Sequence, residues 1–265
     1  MLNAIRSEAI KIRTVRSPFW LLGIGSLLLL VGALLSGWFI IAVETDDANR
    51  FPLLYISFFL CMAMVLVMGS LVITSEYSSK SIRTTFAADP HRVRVIMAKA
   101  TVAGSLAYVV GLIAFLLAWA FGSLAALIHN GLSIPIDGIG LRILFTGPLL
   151  LALGAVLTVG IGTMLRSSAA TITITLIWVL VIEGIVTALL QAFAGGVGAN
   201  ITRFLPQSAA NVVLGLTAAT NGRDGGADLI NGVAPFNWWQ ALAVWIGYAA
   251  IAMVGASVLV HRRDA

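Results

Sequence analysis

Leu27-Leu28-Leu29-Leu30-Val31 lies inside an apolar stretch running from about residue 18 to 43. Five large aliphatic residues in a row leave no alternation between two faces, and a membrane-spanning strand needs that alternation over about 10 residues. As a helix, about 20 apolar residues at 1.5 Å rise each cross ~30 Å of hydrocarbon. Backbone N–H and C=O groups cannot face lipid unpaired, so the stretch is read as an α-helix.

Five more stretches of the same kind follow, at about 53–75, 97–128, 142–165, 169–192 and 239–260. The composition agrees: 60% of residues are hydrophobic, 10% are charged and the mean hydropathy is +1.02. Soluble domains carry about 25% charged residues, so the solvent of this chain is lipid. A sequence pI near 9.9 would point a soluble protein toward nucleic acid. Here the basic residues sit in the segments between spans, and no nucleic-acid partner is expected. Cys61, the one cysteine, lies within an apolar stretch. Neither an intramolecular disulfide nor a cysteine-based metal site can form, and no metal or cofactor is expected on this chain.

Orientation follows from lysine and arginine placement. With the N-terminus in the cytoplasm, the inner segments hold Arg6, Lys11, Arg13, Arg16, Lys80, Arg83, Arg92, Arg94, Lys99, Arg166, Arg262 and Arg263. The outer segments hold only Arg50, Arg142, Arg203 and Arg223. The expectation is a multi-pass protein of the cell membrane with both termini cytoplasmic. A basic N-terminus before an apolar run also resembles a secretory signal. This run far exceeds a 7–15-residue signal core, so it is read as a retained first helix. With no linker, repeat or low-complexity tract, 1–265 reads as a single membrane domain.

Residues 1–17 form a separate element. Leu2, Ile5, Ala9 and Ile12 recur at helical spacing as a narrow apolar stripe flanked by Arg6 and Arg13. Ser17-Pro18 ends that helix, because proline disfavours helix in the residue before it. Two readings stay open: an anchor that fixes topology, or an amphipathic interface helix lying on the inner leaflet beside a partner.

Hydropathy collapses between the second and third spans, in Ser75-Glu76-Tyr77-Ser78-Ser79-Lys80-Ser81-Ile82-Arg83-Thr84-Thr85-Phe86-Ala87-Ala88-Asp89-Pro90-His91-Arg92. Ser78 and Ser79 are expected to cap a short helix, with Ile82 and Phe86, at i and i+4, forming its apolar face. Asp89 is expected as N-cap of the next helix, with Pro90 at its first position. A short cytoplasmic helix held between two long spans would transmit a push to both. The alternative is an ordinary solvated loop obeying the positive-inside rule.

Glu76, Ser81-Ile82-Arg83-Thr84, Pro90-x-Arg92 and Lys99 together resemble the second cytoplasmic segment of ABC-2 type ABC-transporter permeases, with Ser81 where glycine is frequent. The amphipathic N-terminus, the six spans and the tight Leu165-Arg166-Ser167-Ser168-Ala169 turn extend the resemblance over nearly the whole chain. It implies a coupling helix contacting a separate ATP-binding cassette ATPase subunit through Glu76, Lys80, Ile82, Arg83, Phe86, Pro90 and Arg92. It also implies a second permease copy, as a homodimer or related heterodimer, and ATP and Mg bound by the partner subunit. The chain itself has no G-x-x-x-x-G-K-[ST] loop. The expected role is a transport subunit, not an enzyme, that exports or flips a small molecule, lipid or peptide.

Glu183 is the only acidic residue near the middle of a span. A carboxylate there is costly unless paired, hydrated or protonated, which places it on a translocation path, at a dimer interface, or in an interhelical hydrogen bond. The long segment 193–238 contains an apolar run, Ala209 to Ala219, too short to span, so re-entrant or interfacial helices are expected between the fifth and sixth spans. Trp238-Trp239 suits the headgroup layer. A membrane-embedded protease or lipid transferase is the competing class, and a non-catalytic scaffold is another. Neither H-E-x-x-H nor G-x-S-x-G occurs, and His91, His129 and His261 fall at three separate membrane edges.

Overall fold

A computed structural model describes residues 2–39, 52–82, 84–85, 91–131, 138–193, 195–215 and 236–262. Among them there are helices and turns but no strand. The helices are α1 (Leu2–Thr14), α2 (Ser17–Phe39), α3 (Pro52–Ser78), α4 (Arg92–Asn130), α5 (Gly138–Leu165), α6 (Ser168–Ile177), α7 (Glu183–Phe193), α8 (Gly195–Thr202), α9 (Pro206–Val213) and α10 (Trp238–Arg262). A π-helical turn, Trp178–Ile182, joins α6 to α7. Among the described residues six helical units are long and apolar enough to cross a membrane: α2, α3, α4, α5, the α6–π–α7 rod and α10. The chain is a multi-pass membrane protein. Its spans match the expected stretches, except that the fifth is not one uniform helix.

The bundle is built around α3 and α5. Helix α2 packs on α3 and α4, α5 on α3 and α4, and α10 on α5. Met62, Leu66 and Met68 of α3 meet Leu150, Leu151, Ala155 and Val159 of α5 in one buried cluster. Outward, Leu27, Val31 and Leu35 of α2 and Val109, Ile113 and Leu116 of α4 are exposed, as they should be where the solvent is hydrocarbon. Lipid offers no hydrophobic drive between spans, so close packing of small residues has to supply cohesion. Several crossings depend on this, two of them at the centre of the bundle. A Cβ at Gly69 of α3 would lie 2.7 Å from the Ala155 carbonyl oxygen of α5, and one at Gly160 of α5 would lie 2.8 Å from the Ala252 backbone of α10. Gly69→Leu is therefore expected to push α3 off α5 and to destabilise the fold by about 1–3 kcal/mol, measured as a lower unfolding midpoint in detergent.

Local chemistry sets the breaks between helices. Ser17-Pro18 opens α2 after a two-residue interruption of the N-terminal helix, as proline in a first helical turn allows. Between α5 and α6, Arg166 adopts a left-handed φ of 54°. Ser167 then caps α6, its hydroxyl accepting the Ala170 N–H at 3.4 Å. The Arg166 guanidinium lies 5.5 Å from the Tyr77 ring centroid, joining this turn to the end of α3.

Candidate functional site

The end of α3 is made by its serines. Ser78 and Ser79 hydroxyls both donate back to the Ser75 carbonyl, at 2.9 and 2.8 Å, and Lys80 turns the chain with φ 59°. These two serines, expected to cap a helix that follows, thus bond back into the last turn of α3. Helical bonding resumes after it, the Ser81 carbonyl accepting the Thr85 N–H at 3.1 Å and the Thr84 hydroxyl at 2.7 Å.

Within this segment Lys80 is exposed, but Ile82 is 4% exposed and belongs to the chain's own hydrophobic core. Ile82, expected to contact a partner, fills the junction at the ends of α3 and α4 within the chain itself. Arg83, Phe86, Asp89 and Pro90 lie outside the described residues. Helix α4 starts at Arg92 with His91 at its N-cap, so the expected cap at Asp89 with Pro90 as first helical residue does not describe its start. The His91 carbonyl already accepts the Arg94 N–H at 2.8 Å. Arg92 is half-buried on the first turn.

Behind this segment lies a group of four charges. Lys99 of α4 is 1% exposed. Its ammonium donates at 2.6 Å to Glu8 Oε2 of α1 and at 2.6 Å to Glu76 Oε1 of α3. Lys11 of α1 closes the figure, bonding Glu8 Oε1 at 2.8 Å, Glu76 Oε1 at 3.3 Å and the Thr85 hydroxyl at 3.3 Å. Thr85 in turn donates to Glu76 Oε2 at 3.5 Å. Two carboxylates and two ammoniums thus join the N-terminal helix, the end of the second span, the turn after it and the start of the third. A cavity of about 430 Å³, bordered by Lys11, Thr14, Pro18, Val72, Ser79 and Glu76, opens beside them.

Glu76, expected to face a partner, spends its carboxylate on this internal network. Glu8 did not stand out in the sequence at all. It interrupts no motif, and its neighbours Leu2, Ile5, Ala9 and Ile12 carry the visible periodicity. The one available clue was an acid in a strongly basic segment, one turn from Ile12, which is also buried.

Burial alone would lower the Lys11 pKa, but the hydrogen bond it donates to Glu8 and the charges of Glu76 and Glu8 outweigh it and hold the ammonium above its ordinary 10.5. A raised lysine pKa stabilises the fold fully below the unfolded value, and that contribution is lost as pH rises through the folded value. Thermal stability is therefore expected to be insensitive to Lys11 from neutral pH to about 10 and to fall above that. The decline should be shallower in Lys11→Met, which has no ammonium to lose.

Glu183 begins α7 and is 1% exposed. Its Oε1 accepts the N–H groups of Gln207 and of Ser208, the latter at 3.2 Å. Those amides lie in the first turn of α9, where Pro206 has no N–H and the N-cap, Leu205, offers no side-chain bond. Trp245 of α10 donates its indole N–H to the Pro206 carbonyl at 2.9 Å, and Tyr248 donates to the Phe204 carbonyl at 3.2 Å. The residue expected on a path or a dimer contact is thus engaged with a short helix of its own chain.

The family model described as ABC-2 family transporter protein matches residues 4–182, from α1 to the π-helical turn before Glu183. Among curated proteins none matches. A match over two-thirds of the chain, including every charge of the α1–α3–α4 network, leaves one conclusion about descent: the chain belongs to the ABC-2 family of transporter proteins and is a membrane-spanning permease.

Proposed function

We propose that this permease is the membrane half of an ATP-driven exporter or flippase in the cell membrane. ATP and Mg are bound and hydrolysed by a separate ATP-binding cassette subunit, and two permease copies form the path. Both termini, α1 and the 79–91 segment face the cytoplasm, in keeping with the lysine and arginine excess on that side. The ATPase docks on this face through Lys80, Arg83, Phe86, Pro90 and Arg92.

The observation that carries the reading is the Glu8–Lys11–Glu76–Lys99 network. Its ion pairs fasten α1 to the end of α3 and the start of α4, and the segment between those spans joins the network through the Thr85 hydroxyl, which bonds Lys11 and Glu76. Force applied there by a partner reaches α3 and α4 without being lost in a soft loop. Glu76 and Ile82 act in this scheme from within, holding the segment's shape.

Purification of the tagged full-length chain from native membranes should recover a Walker-motif ATPase in equal amount, with two permease chains per complex. Phe86→Asp places a charge in the docking face and is expected to cut ATPase recovery more than tenfold while the permease itself unfolds at the wild-type temperature. Recovery of the permease alone from transporting membranes would refute the proposal.

A further inference from the structure

We propose that Glu183 is the latch of a seal at the far end of the path: it positions α9 inside the membrane, and its release opens that end. This rests on the permease reading, and it concerns a part of the chain beyond the residues that the family model matches.

The fifth span is shaped to deliver this one side chain. From Ile177 to Ile185, Glu183 alone is buried. The π-helical turn just before it closes with the Glu183 N–H on the Trp178 carbonyl, five residues back. One extra residue in a turn rotates everything after it by about 100° relative to a regular helix. That rotation lets the rod keep Trp178, Leu180, Val181 and Ile182 outward while Glu183 points in.

What Glu183 meets needs it equally. The first N–H groups of a helix have no partner within the helix. In α9 proline removes one, an apolar N-cap supplies none, and Glu183 takes the next two. A carboxylate favours a helix N-terminus, whereas either group alone in an apolar interior is costly. Latch and helix are stable in place only together.

Depth gives the contact its role. Trp245 lies seven residues into α10 and Tyr248 ten, so their bonds to Pro206 and Phe204 fall about 10–15 Å below the start of that helix. Glu183 lies ten residues before the end of α7, again about 15 Å. Two independent rods therefore agree that α9 starts deep in a ~30 Å hydrocarbon layer. Non-spanning backbone survives at that depth only against protein or a water-filled cavity. The second carboxylate oxygen, Oε2, is buried and makes no hydrogen bond among the described residues. Such orphaned acceptors are rare in folded proteins, and this one leaves the contact capable of a second state, in which Glu183 turns to a proton or a cation and lets α9 go.

Hydrogen exchange on the full-length permease in lipid nanodiscs reads the latch, and leak of an impermeant dye from proteoliposomes of the same protein reads the seal. Glu183→Ala should raise exchange at 207–213 about tenfold, leave α3 and α5 as in wild type, and increase dye leak. Glu183→Gln, which still accepts through its amide oxygen, should fall between, and it serves if the alanine variant does not fold. Trp245→Phe removes the neighbouring tether only and should loosen α9 less than Glu183→Ala. Unchanged exchange at α9, or equal loosening of every span, would overturn the latch. A loosened α9 with wild-type leak would overturn the seal. Failure of the permease reading would appear separately, as a chain that recovers no ATPase while α9 still responds to Glu183→Ala.

Discussion

Lys99→Met is expected to be the most damaging single substitution at the α1–α3–α4 junction, lowering the unfolding midpoint on the order of 10 °C. The Lys99 ammonium sits 2.6 Å from two carboxylates and is almost wholly buried. Without it, the one ammonium left on Glu8 and Glu76 among the described residues is Lys11, which is half-exposed and already bonded to both. Removing one partner from a buried ion pair costs about 3–5 kcal/mol because the stranded charge cannot reach water. Pairing the change with Glu8→Gln restores charge balance around Lys11 and Glu76, and should recover at least half of the loss. Thermal unfolding of the single and double variants in one detergent measures both. A Lys99→Met protein as stable as wild type would show that water reaches the network and that the junction is not a rigid tie. If the proposed ATP-driven function holds, coupled hydrolysis should fall in parallel, since α1 would no longer be fastened to α3 and α4.

Trp245→Ala comes second in size. Trp245 is 2% exposed, the largest of the fully buried side chains, and its indole is the donor to the Pro206 carbonyl. Truncating a buried tryptophan to alanine costs about 3–5 kcal/mol through lost contacts and the remaining cavity. The abandoned carbonyl adds to this, because a buried acceptor without a donor carries its own penalty. The loss should appear both as a lower midpoint and as protease sensitivity in 203–215. Trp245→Phe, which keeps most of the ring but not the N–H, should recover the greater part of the packing without restoring the tie. A variant within 1 kcal/mol of wild type would mean that α9 is held by something other than α10.

The six crossings were legible because lipid makes backbone pairing a local problem. Each span satisfies its own N–H and C=O groups, so length and hydropathy alone locate it, and the helices begin and end within a few residues of the apolar stretches. Ser17-Pro18 and the Leu165–Ala169 turn were readable for the same reason, since their breaks follow from the φ and capping demands of the residues present. The segment after α3 was read less well. Ser78 and Ser79 suit an N-cap by type, but their hydroxyl protons go back to the Ser75 carbonyl, a bond that depends on where α3 ends. Ile82 looked like a docking anchor because its immediate neighbours are polar, whereas burial depends on neighbours in space.

Glu8 and Lys99 stand 91 positions apart, and Glu183 stands 24 from Gln207. No periodicity links such residues. Their pairing comes from which faces α1, α3 and α4, or the fifth span and α9, turn toward one another, and one residue of rotation would separate them. The sequence by itself determined an all-α membrane protein of six spans and a basic segment after the second, because those features rest on local hydropathy and charge. Only the tertiary structure decided that Glu76 turns inward to Lys99, that Ile82 is core, and that the acid in the fifth span caps a short helix, because each requires a charge or a methyl group to be brought out of water or lipid against a partner distant in the chain.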